Sequence, residues 1–305
     1  MQTFTLTARG PFSLAASTRF LEGFTPARYG GSPDGPLQLA FPVERSWRTV
    51  GVQVWQDGSD NTVTGEVTYP AAADDKLAGA AADQVARILS LDVDGTGFGA
   101  VAERDPVVAQ LVHRYPGLRP VGFWSPYEAA AWTIIGHRIR MTQAATIKAA
   151  MARELGDQVT VGDRLIAAFP APDKLAELTA FPGLSGRKPE WLRGVAEAAL
   201  DGDLDAARLR ALPREQALAG LKRLGGIGDF SAELILLRGA CDPDALALHE
   251  PRLARAAGRA YGLGAPATAG QLTELSEQWR PYRTWVTLLL RATLEDDTAE
   301  FARRG

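Results

Sequence analysis

Cysteine is almost absent from this chain, and apolar runs of membrane length are absent altogether. The 305 residues include one cysteine, Cys241, which excludes an internal disulfide, a four-cysteine zinc site and a cysteine-ligated iron–sulfur cluster. The longest apolar stretches, such as 285–290, are far shorter than the roughly 20 residues that cross a bilayer. The N-terminus lacks the basic and apolar regions of a signal peptide. We therefore expect a cytoplasmic globular protein that has no membrane partner.

Basic residues are not in excess either. The chain has 33 Lys and Arg against 36 Asp and Glu, a net charge of −3. Residues 1–90 carry 7 basic and 9 acidic side chains, and the remainder carries 26 and 27. Neither part is a basic arm, so composition shows no electrostatic footprint for nucleic acid. A DNA-binding hypothesis must therefore depend on a local feature.

The first 95 residues have the pattern of a small mixed α/β unit. Alternation of apolar residues over 3–9 predicts a half-buried strand, 14–23 predicts a short helix, and Gly35-Pro36 opens an extended stretch through Phe41. Two β-rich runs, 50–55 and 62–69, flank a turn-rich loop and predict a hairpin. A helical pattern over 76–93 completes the predicted order β-α-β-β-β-α.

From about Asp105 the pattern is almost entirely helical, including a short predicted helix over 165–169. Ser125 and Glu128 have the spacing of a capping box, with proline at the first helical position. A stretch rich in Gly and Asp, 92–97, separates the two patterns. We therefore predict an α+β protein with a mixed α/β domain over 1–95 and an all-α domain over 96–305.

One segment, 221–232, carries most of the information about function. A helix is predicted to end at Leu224, followed by a tight Gly226-Ile227-Gly228 turn and a second helix from Asp229. Glycines leave the backbone N–H groups uncovered, and the start of a helix attracts an anion such as a DNA phosphate. The alternative is an ordinary helical hairpin with a glycine C-cap, and the carboxylate of Asp229 opposes phosphate binding.

Glu250 has a similar ambiguity. Pro251 disfavours the α region for the residue before it and suits the first turn of a helix. The carboxylate of Glu250 therefore lies at the positive end of a helix dipole and is expected to stay ionised. Such a group suits a reaction in which positive charge develops on a sugar, but it also suits a simple helix cap.

Together these features resemble the helix-hairpin-helix DNA glycosylases, in particular the DNA-3-methyladenine glycosylase II (AlkA-like) family. The resemblance covers nearly the whole chain. Residues 224–232 resemble the Leu-Pro-Gly-Ile-Gly-x-x-Thr-Ala hairpin, with Gly225 in place of proline, and 237–239 resemble its continuation. The resemblance implies a TATA-binding-protein-like N-terminal domain and a two-lobed helical domain. It also implies a bacterial enzyme that works at the nucleoid.

The family flips an alkylated base out of duplex DNA and hydrolyses its N-glycosidic bond. The resemblance places Glu250 where the family has its catalytic aspartate, and His249 beside it. Phe230 falls at a pocket position that holds the Schiff-base lysine in bifunctional relatives such as endonuclease III. Phenylalanine forms no imine, so the enzyme is expected to be monofunctional. The family implies no cofactor, and we infer no protein partner.

The resemblance implies further roles. Tyr282 and Trp124 join Phe230 and His249 in the base pocket. His137 and Arg138 replace the usual Gln-Leu of the loop that fills the gap in the DNA. The expected DNA contacts are Lys222, Gly226, Ile227, Gly228, Ser231, His137 and Arg138. No spacing of ligands predicts a metal site, although hairpin carbonyls of the superfamily can hold a monovalent cation.

Two alternatives stay open. A protein of this fold without glycosylase activity would bind damaged DNA only. The second alternative is a glycosylase that uses the same chemistry on a different, bulkier lesion. The replacement of Asp by Glu250, the altered residues at 137–138 and the carboxylate of Asp229 motivate the first of these alternatives.

Overall fold

The computed structural model describes residues 2–23, 26, 31, 35–58, 60–69 and 75–304. Its N-terminal part contains a four-stranded antiparallel sheet in the order β1-β4-β3-β2, and the predicted order β-α-β-β-β-α is confirmed. The elements are β1 (Gln2–Thr7), α1 (Leu14–Gly23), β2 (Leu37–Pro42), β3 (Thr49–Trp55), β4 (Thr62–Thr68) and α2 (Asp75–Ile88).

A second, two-stranded sheet corrects the prediction that the rest of the chain is helical. Residues predicted as a helix over 165–169 instead belong to a hairpin of β5 (Gln158–Val161) and β6 (Arg164–Ala167). This hairpin packs on β2 and β3, where a Cβ added to Gly51 would lie 2.4 Å from Val161. A strand pattern of four residues is too short to compete with helical periodicity in the sequence, and packing on the larger sheet decides it.

Helices make up most of the chain after residue 95. They are α3 (Phe98–Arg104), α4 (Pro106–Arg114), α5 (Pro126–Ile135), α6 (Met141–Leu155), α7 (Pro172–Ala176), α8 (Lys188–Leu200), α9 (Ala206–Ala211), α10 (Arg214–Leu221), α11 (Asp229–Leu234), a π-helical segment (Ile235–Gly239), α12 (Pro251–Ala260), α13 (Ala269–Glu277) and α14 (Arg283–Arg304). The helix expected to reach Leu224 thus ends at Leu221. None of the helices in the described ranges is both long and apolar enough to span a membrane.

The centre of the helical part is α5, whose ten residues are all buried against α6, α8, α11 and the π-helical segment. Ser125 caps it as predicted, because its Oγ accepts a hydrogen bond from the N–H of Glu128 at 3.1 Å. The carboxylate of Glu128, however, forms an ion pair with Lys148. The predicted cap is therefore confirmed, while Glu128 is used for packing between α5 and α6.

The apolar side chains form two clusters, one in the N-terminal part and one in the helical part. Arg119, fully buried, connects them: its guanidinium donates hydrogen bonds to the carbonyls of Arg9, Gly10, Pro11, Ser90 and Val93. These bonds fix the connecting segment against both parts. The domain boundary between residues 95 and 96 stays a prediction.

Candidate active site

A cleft of about 1510 Å³ opens between α1, the loop after α5, the turn before α11, the start of α12 and α14. Both parts of the chain contribute to its walls. The structure brings together these predicted site residues at the cleft: His137, Arg138, Gly226, Gly228, Phe230, Ser231 and Glu250.

Glu250 directly precedes α12 and has the extended backbone that Pro251 was expected to impose, with φ −94° and ψ 110°. Its side chain caps no N–H group of the helix. Instead, Glu250 Oε1 lies 2.8 Å from Nη1 of Arg291, and both side chains are largely buried. A charge-assisted pair of this kind holds the carboxylate in place as an anion. The simple helix-cap interpretation therefore lacks the hydrogen bond that it requires.

Arg291 is a site residue that the sequence interpretation missed. It lies on α14, directly after the buried run Leu288–Leu290. A single charge within an apolar helical stretch was the available signal, since a buried charge needs a partner. Only the packing of α14 against α12 identifies that partner as Glu250.

Phe230 is the main exposed aromatic residue of the cleft. It is the second residue of α11 and is 43% exposed, although burial of such a ring is normally favourable. Trp132 and Phe20 line the same cleft. Trp132 is 7% exposed. Exposed and half-exposed rings at a cleft offer faces on which a base can stack.

Two predicted pocket aromatics lie elsewhere, which corrects the sequence interpretation. Tyr282 packs against Phe98 and Trp285 at ring-centroid distances of 5.4 and 5.1 Å, and its hydroxyl donates to the carbonyl of Asp94 at 2.6 Å. Trp124 packs against the N-terminal apolar cluster. Neither belongs to the described residues that line the cleft. Burial of both rings against these apolar clusters is more favourable in free energy than exposure to the solvent of the cleft.

His249 is also not among the described residues that line the cleft. Its Nδ1 lies 2.9 Å from Oε1 of Glu233, and its backbone N–H donates to Oε2 at 3.0 Å. Because Glu250 is extended, successive side chains point to opposite sides of the chain. His249 therefore faces α11 while Glu250 faces α14, and the predicted pocket role of His249 is corrected.

The turn before α11 has the predicted tight geometry. Gly226 has a φ of +82°, and a Cβ there would lie 2.7 Å from the ring of Trp191. A Cβ on Gly228 would meet nothing within 4 Å. Ile227, however, is buried, and its N–H donates to the carbonyl of Leu224 at 3.1 Å. Its N–H is therefore engaged in the turn, which leaves the first N–H groups of α11 as candidates for an anion.

Asp229 does not present an unbalanced negative charge at this turn. Its Oδ1 accepts a hydrogen bond from Nζ of Lys222 at 2.9 Å across the turn. This bond and the charge of the ammonium group lower the pKa of the Asp229 carboxyl. Lys222, predicted to contact DNA, is thus engaged with a carboxylate in the protein alone, and both side chains are exposed.

The loop between α5 and α6 reaches the same side of the cleft. Arg138 is exposed and has a φ of +54°, a left-handed conformation that costs a non-glycine residue about 1–2 kcal/mol. The ring of His137 lies 5.8 Å from that of Trp191, so Trp191 contacts both this loop and the turn before α11. Burial, together with Lys188 and Arg138, lowers the pKa of His137.

The fold also gathers positive charge that composition does not reveal. Arginines from α1, α4, the loop after α5 and α12 line the cleft: Arg19, Arg114, Arg138, Arg252 and Arg255. They are distant in the sequence, so no basic segment is visible there. In the folded chain they form a positively charged surface suited to a phosphate backbone.

No family model matches the chain. It is 25% identical over 204 residues to a DNA-3-methyladenine glycosylase of Bacillus subtilis, covering 66% of this chain and 67% of that protein. It is 32% identical over 218 residues to a probable bifunctional transcriptional activator/DNA repair enzyme AlkA of Mycobacterium tuberculosis, covering 68% of this chain and 42% of that protein. The chain thus spans about two thirds of the first relative and less than half of the second.

The fold is similar to a solved 3-methyladenine DNA-glycosylase from Archaeoglobus fulgidus, with a TM-score of 0.77 and 20% identity over 95% of this chain and 97% of that one. The chain is thus similar in sequence to DNA-3-methyladenine glycosylases, and it has the fold of a solved 3-methyladenine DNA-glycosylase.

Proposed function

We propose that the protein is a monofunctional DNA glycosylase of base-excision repair that removes alkylated purine bases from duplex DNA. The observation that carries this proposal is the Glu250–Arg291 pair, which places a carboxylate at the wall of a cleft that also exposes Phe230. A carboxylate at such a position stabilises the positive charge that develops on the sugar when the glycosidic bond breaks.

DNA binding in this proposal uses two kinds of contact. The first N–H groups of α11 and the turn at 226–228 bind one phosphate through backbone dipoles. The arginines of the cleft contact the flanking phosphates, and Arg138 fills the gap that base flipping leaves. The position of Arg138 at the tip of the loop after α5, in a strained backbone conformation, supports that role.

The flipped base stacks on Phe230. Tyr282, which packs against Phe98 and Trp285, takes no part in the pocket. The aromatic residues that share the cleft with Phe230 are Phe20, Tyr115, Phe123 and Trp132. When the C1′–N bond breaks, the electron pair leaves with the base. The oxygen of a water molecule then bonds to C1′, and its proton passes to the carboxylate of Glu250. Phe230 has no amine, so no Schiff base forms at this position.

Two further features belong to the same proposal. The sheet with α1 and α2 is the TATA-binding-protein-like domain, with its boundary after residue 95. Carbonyl oxygens of the turn before α11 suit a monovalent cation, since the carbonyl of Leu224 accepts one hydrogen bond and keeps a second lone pair. Such a cation would supply positive charge beside the bound phosphate.

The test is base release from methylated duplex DNA by the purified protein, with products separated by mass. Free methylated purine, together with an absence of covalent adducts after borohydride treatment, supports the monofunctional enzyme. Tight binding to methylated DNA without release supports a damage-binding protein instead. Release only from DNA that carries larger adducts assigns the bulkier lesion.

A further inference from the structure

A small chamber lies behind Phe230, next to the cleft. Its volume is about 10 Å³, and its walls include Phe230, Glu250 and Arg291, which also line the cleft. The other walls are apolar except for Thr287 of α14 and Arg238, whose guanidinium donates to the carbonyl of Val121. A cavity needs on the order of 10–15 Å³ to hold the centre of one water molecule, together with at least two polar partners. The chamber therefore has the size and the polar groups for a single water.

Thr287 is the unusual member of this group. It is 2% exposed, and its Oγ1 is buried with no hydrogen-bond partner among the described residues. Other threonines of α14 are satisfied: Thr284 donates to the carbonyl of Asp242 at 2.6 Å, and Thr293 donates to that of Leu290 at 2.7 Å. A buried hydroxyl that makes no bond to the protein is unfavourable unless a water or a ligand satisfies it.

We propose that Thr287 and Glu250 hold one water molecule in this chamber and that this water is the nucleophile of base excision. The inference rests on the proposed function. In the reaction, the water oxygen bonds to C1′ as the C1′–N bond breaks. The electron pair of that bond leaves with the base, and the water proton passes to the Glu250 carboxylate. Thr287 acts as a positioning residue, because its Oγ1 fixes the water and does not itself react.

The arrangement favours a reactive water over a merely structural one. A carboxylate that contacts the water is also the group that can accept its proton. The chamber adjoins the cleft through the same Glu250 and Phe230 that face the flipped nucleotide. Its size admits water and excludes larger nucleophiles, which prevents side reactions at the sugar.

The first experiment compares Thr287→Val with Thr287→Ser under single-turnover conditions on methylated duplex DNA. Valine keeps the volume and removes the hydroxyl, so excision is expected to fall about 10- to 100-fold with unchanged DNA affinity. Serine keeps the hydroxyl and restores most of the rate. Thr293→Val, on the same helix but with its hydroxyl bonded to Leu290, is the matched control and leaves the rate unchanged.

Two measurements test whether the chamber holds a water molecule and whether that water is the nucleophile. If the chamber is dry, Thr287→Val removes an unsatisfied buried group and raises Tm; if a water is bound, Tm stays unchanged or falls. In buffer containing methanol, the unaltered protein is expected to give only the hydrolysed abasic product, detected by mass. A methyl acetal formed in proportion to methanol places the nucleophile in the open cleft and overturns the proposal.

The outcomes also separate this inference from the proposed function. An unaltered protein that releases base, combined with a Thr287→Val variant of equal rate, overturns only the role of Thr287. An unaltered protein that releases no base refutes the glycosylase proposal and with it the nucleophile. In that case Tm of Thr287→Val still reports whether the chamber holds a water.

Discussion

Substitution of Glu250 by glutamine is the sharpest perturbation that the site offers. The amide keeps the shape of the side chain and removes its charge. Nη1 of Arg291, which lies 2.8 Å from Oε1 of Glu250 in the unaltered protein, then no longer faces an anion at this position. Two quantities are expected to change, the rate of base excision and the free energy of unfolding. Binding of duplex DNA is expected to change little, because the arginines and the turn before α11 are untouched.

The size of the rate effect follows from electrostatics. A unit charge about 4 Å from the positive charge on the sugar is worth about 4 kcal/mol at an effective dielectric constant of about 20. This corresponds to a rate loss of about 10³-fold. Removal of one partner from a buried pair costs about 3–5 kcal/mol of stability. Because the Arg291 side chain is 17% exposed at the cleft, we expect the lower end of that range.

The assay is single-turnover release of a methylated purine from a synthetic duplex, with affinity measured by fluorescence anisotropy and stability by thermal unfolding. Glu250→Asp withdraws the carboxylate by about 1.5 Å and is expected to lose about 10²-fold in rate. Glu277→Gln is the matched control, since Glu277 is exposed and pairs with Arg280 far from the chamber. It should leave the rate unchanged.

A second variant separates catalysis from stability. The double substitution Glu250→Gln with Arg291→Met also removes the cation that faces Glu250 and is expected to recover Tm without recovering activity. If Glu250→Gln alone releases base within a few-fold of the unaltered rate, Glu250 is only a structural residue and the proposed mechanism is refuted.

The remaining predictions concern DNA binding and pH. Gly228→Ala is expected to weaken duplex binding about tenfold or more without loss of Tm, because its Cβ meets open space in the protein but the approaching phosphate in the complex; equal affinity would contradict this. Arg138→Ala should reduce excision more at a paired lesion than at a mismatched one, where flipping costs less, and equal losses would exclude a role in flipping. Phosphate contacts from Arg19, Arg114, Arg252 and Arg255 predict a slope of about −3 to −4 for log affinity against log salt, whereas a slope near −1 would exclude them. Because the pKa of His137 is lowered by folding from 6.5, its contribution to stability is present above pH 6.5 and lost as the pH falls through the folded pKa. Tm of the unaltered protein should therefore fall more between pH 7.5 and 5 than Tm of His137→Asn, and parallel curves would refute this.

Several features of the protein were determined by local sequence alone. The order of the first six elements, the Ser125 cap, the tight turn at 226–228 and the extended Glu250 before α12 all agree with the sequence prediction. Each depends on backbone preferences of a few consecutive residues, such as the effect of Pro251 on the residue before it. Such preferences act wherever the segment lies, so they can be predicted without the fold.

The tertiary structure alone decided which distant side chains meet. It paired Arg291 with Glu250, placed Trp191 under the turn before α11 and the loop after α5, and moved Tyr282 and His249 away from the cleft. It also turned 164–167 into a strand, because the sheet offered an apolar surface for β5 and β6. These contacts depend on how helices and sheets pack, which varies with burial over the whole chain. No local pattern contains that information, and the partner of the central carboxylate could therefore be found only in the folded protein.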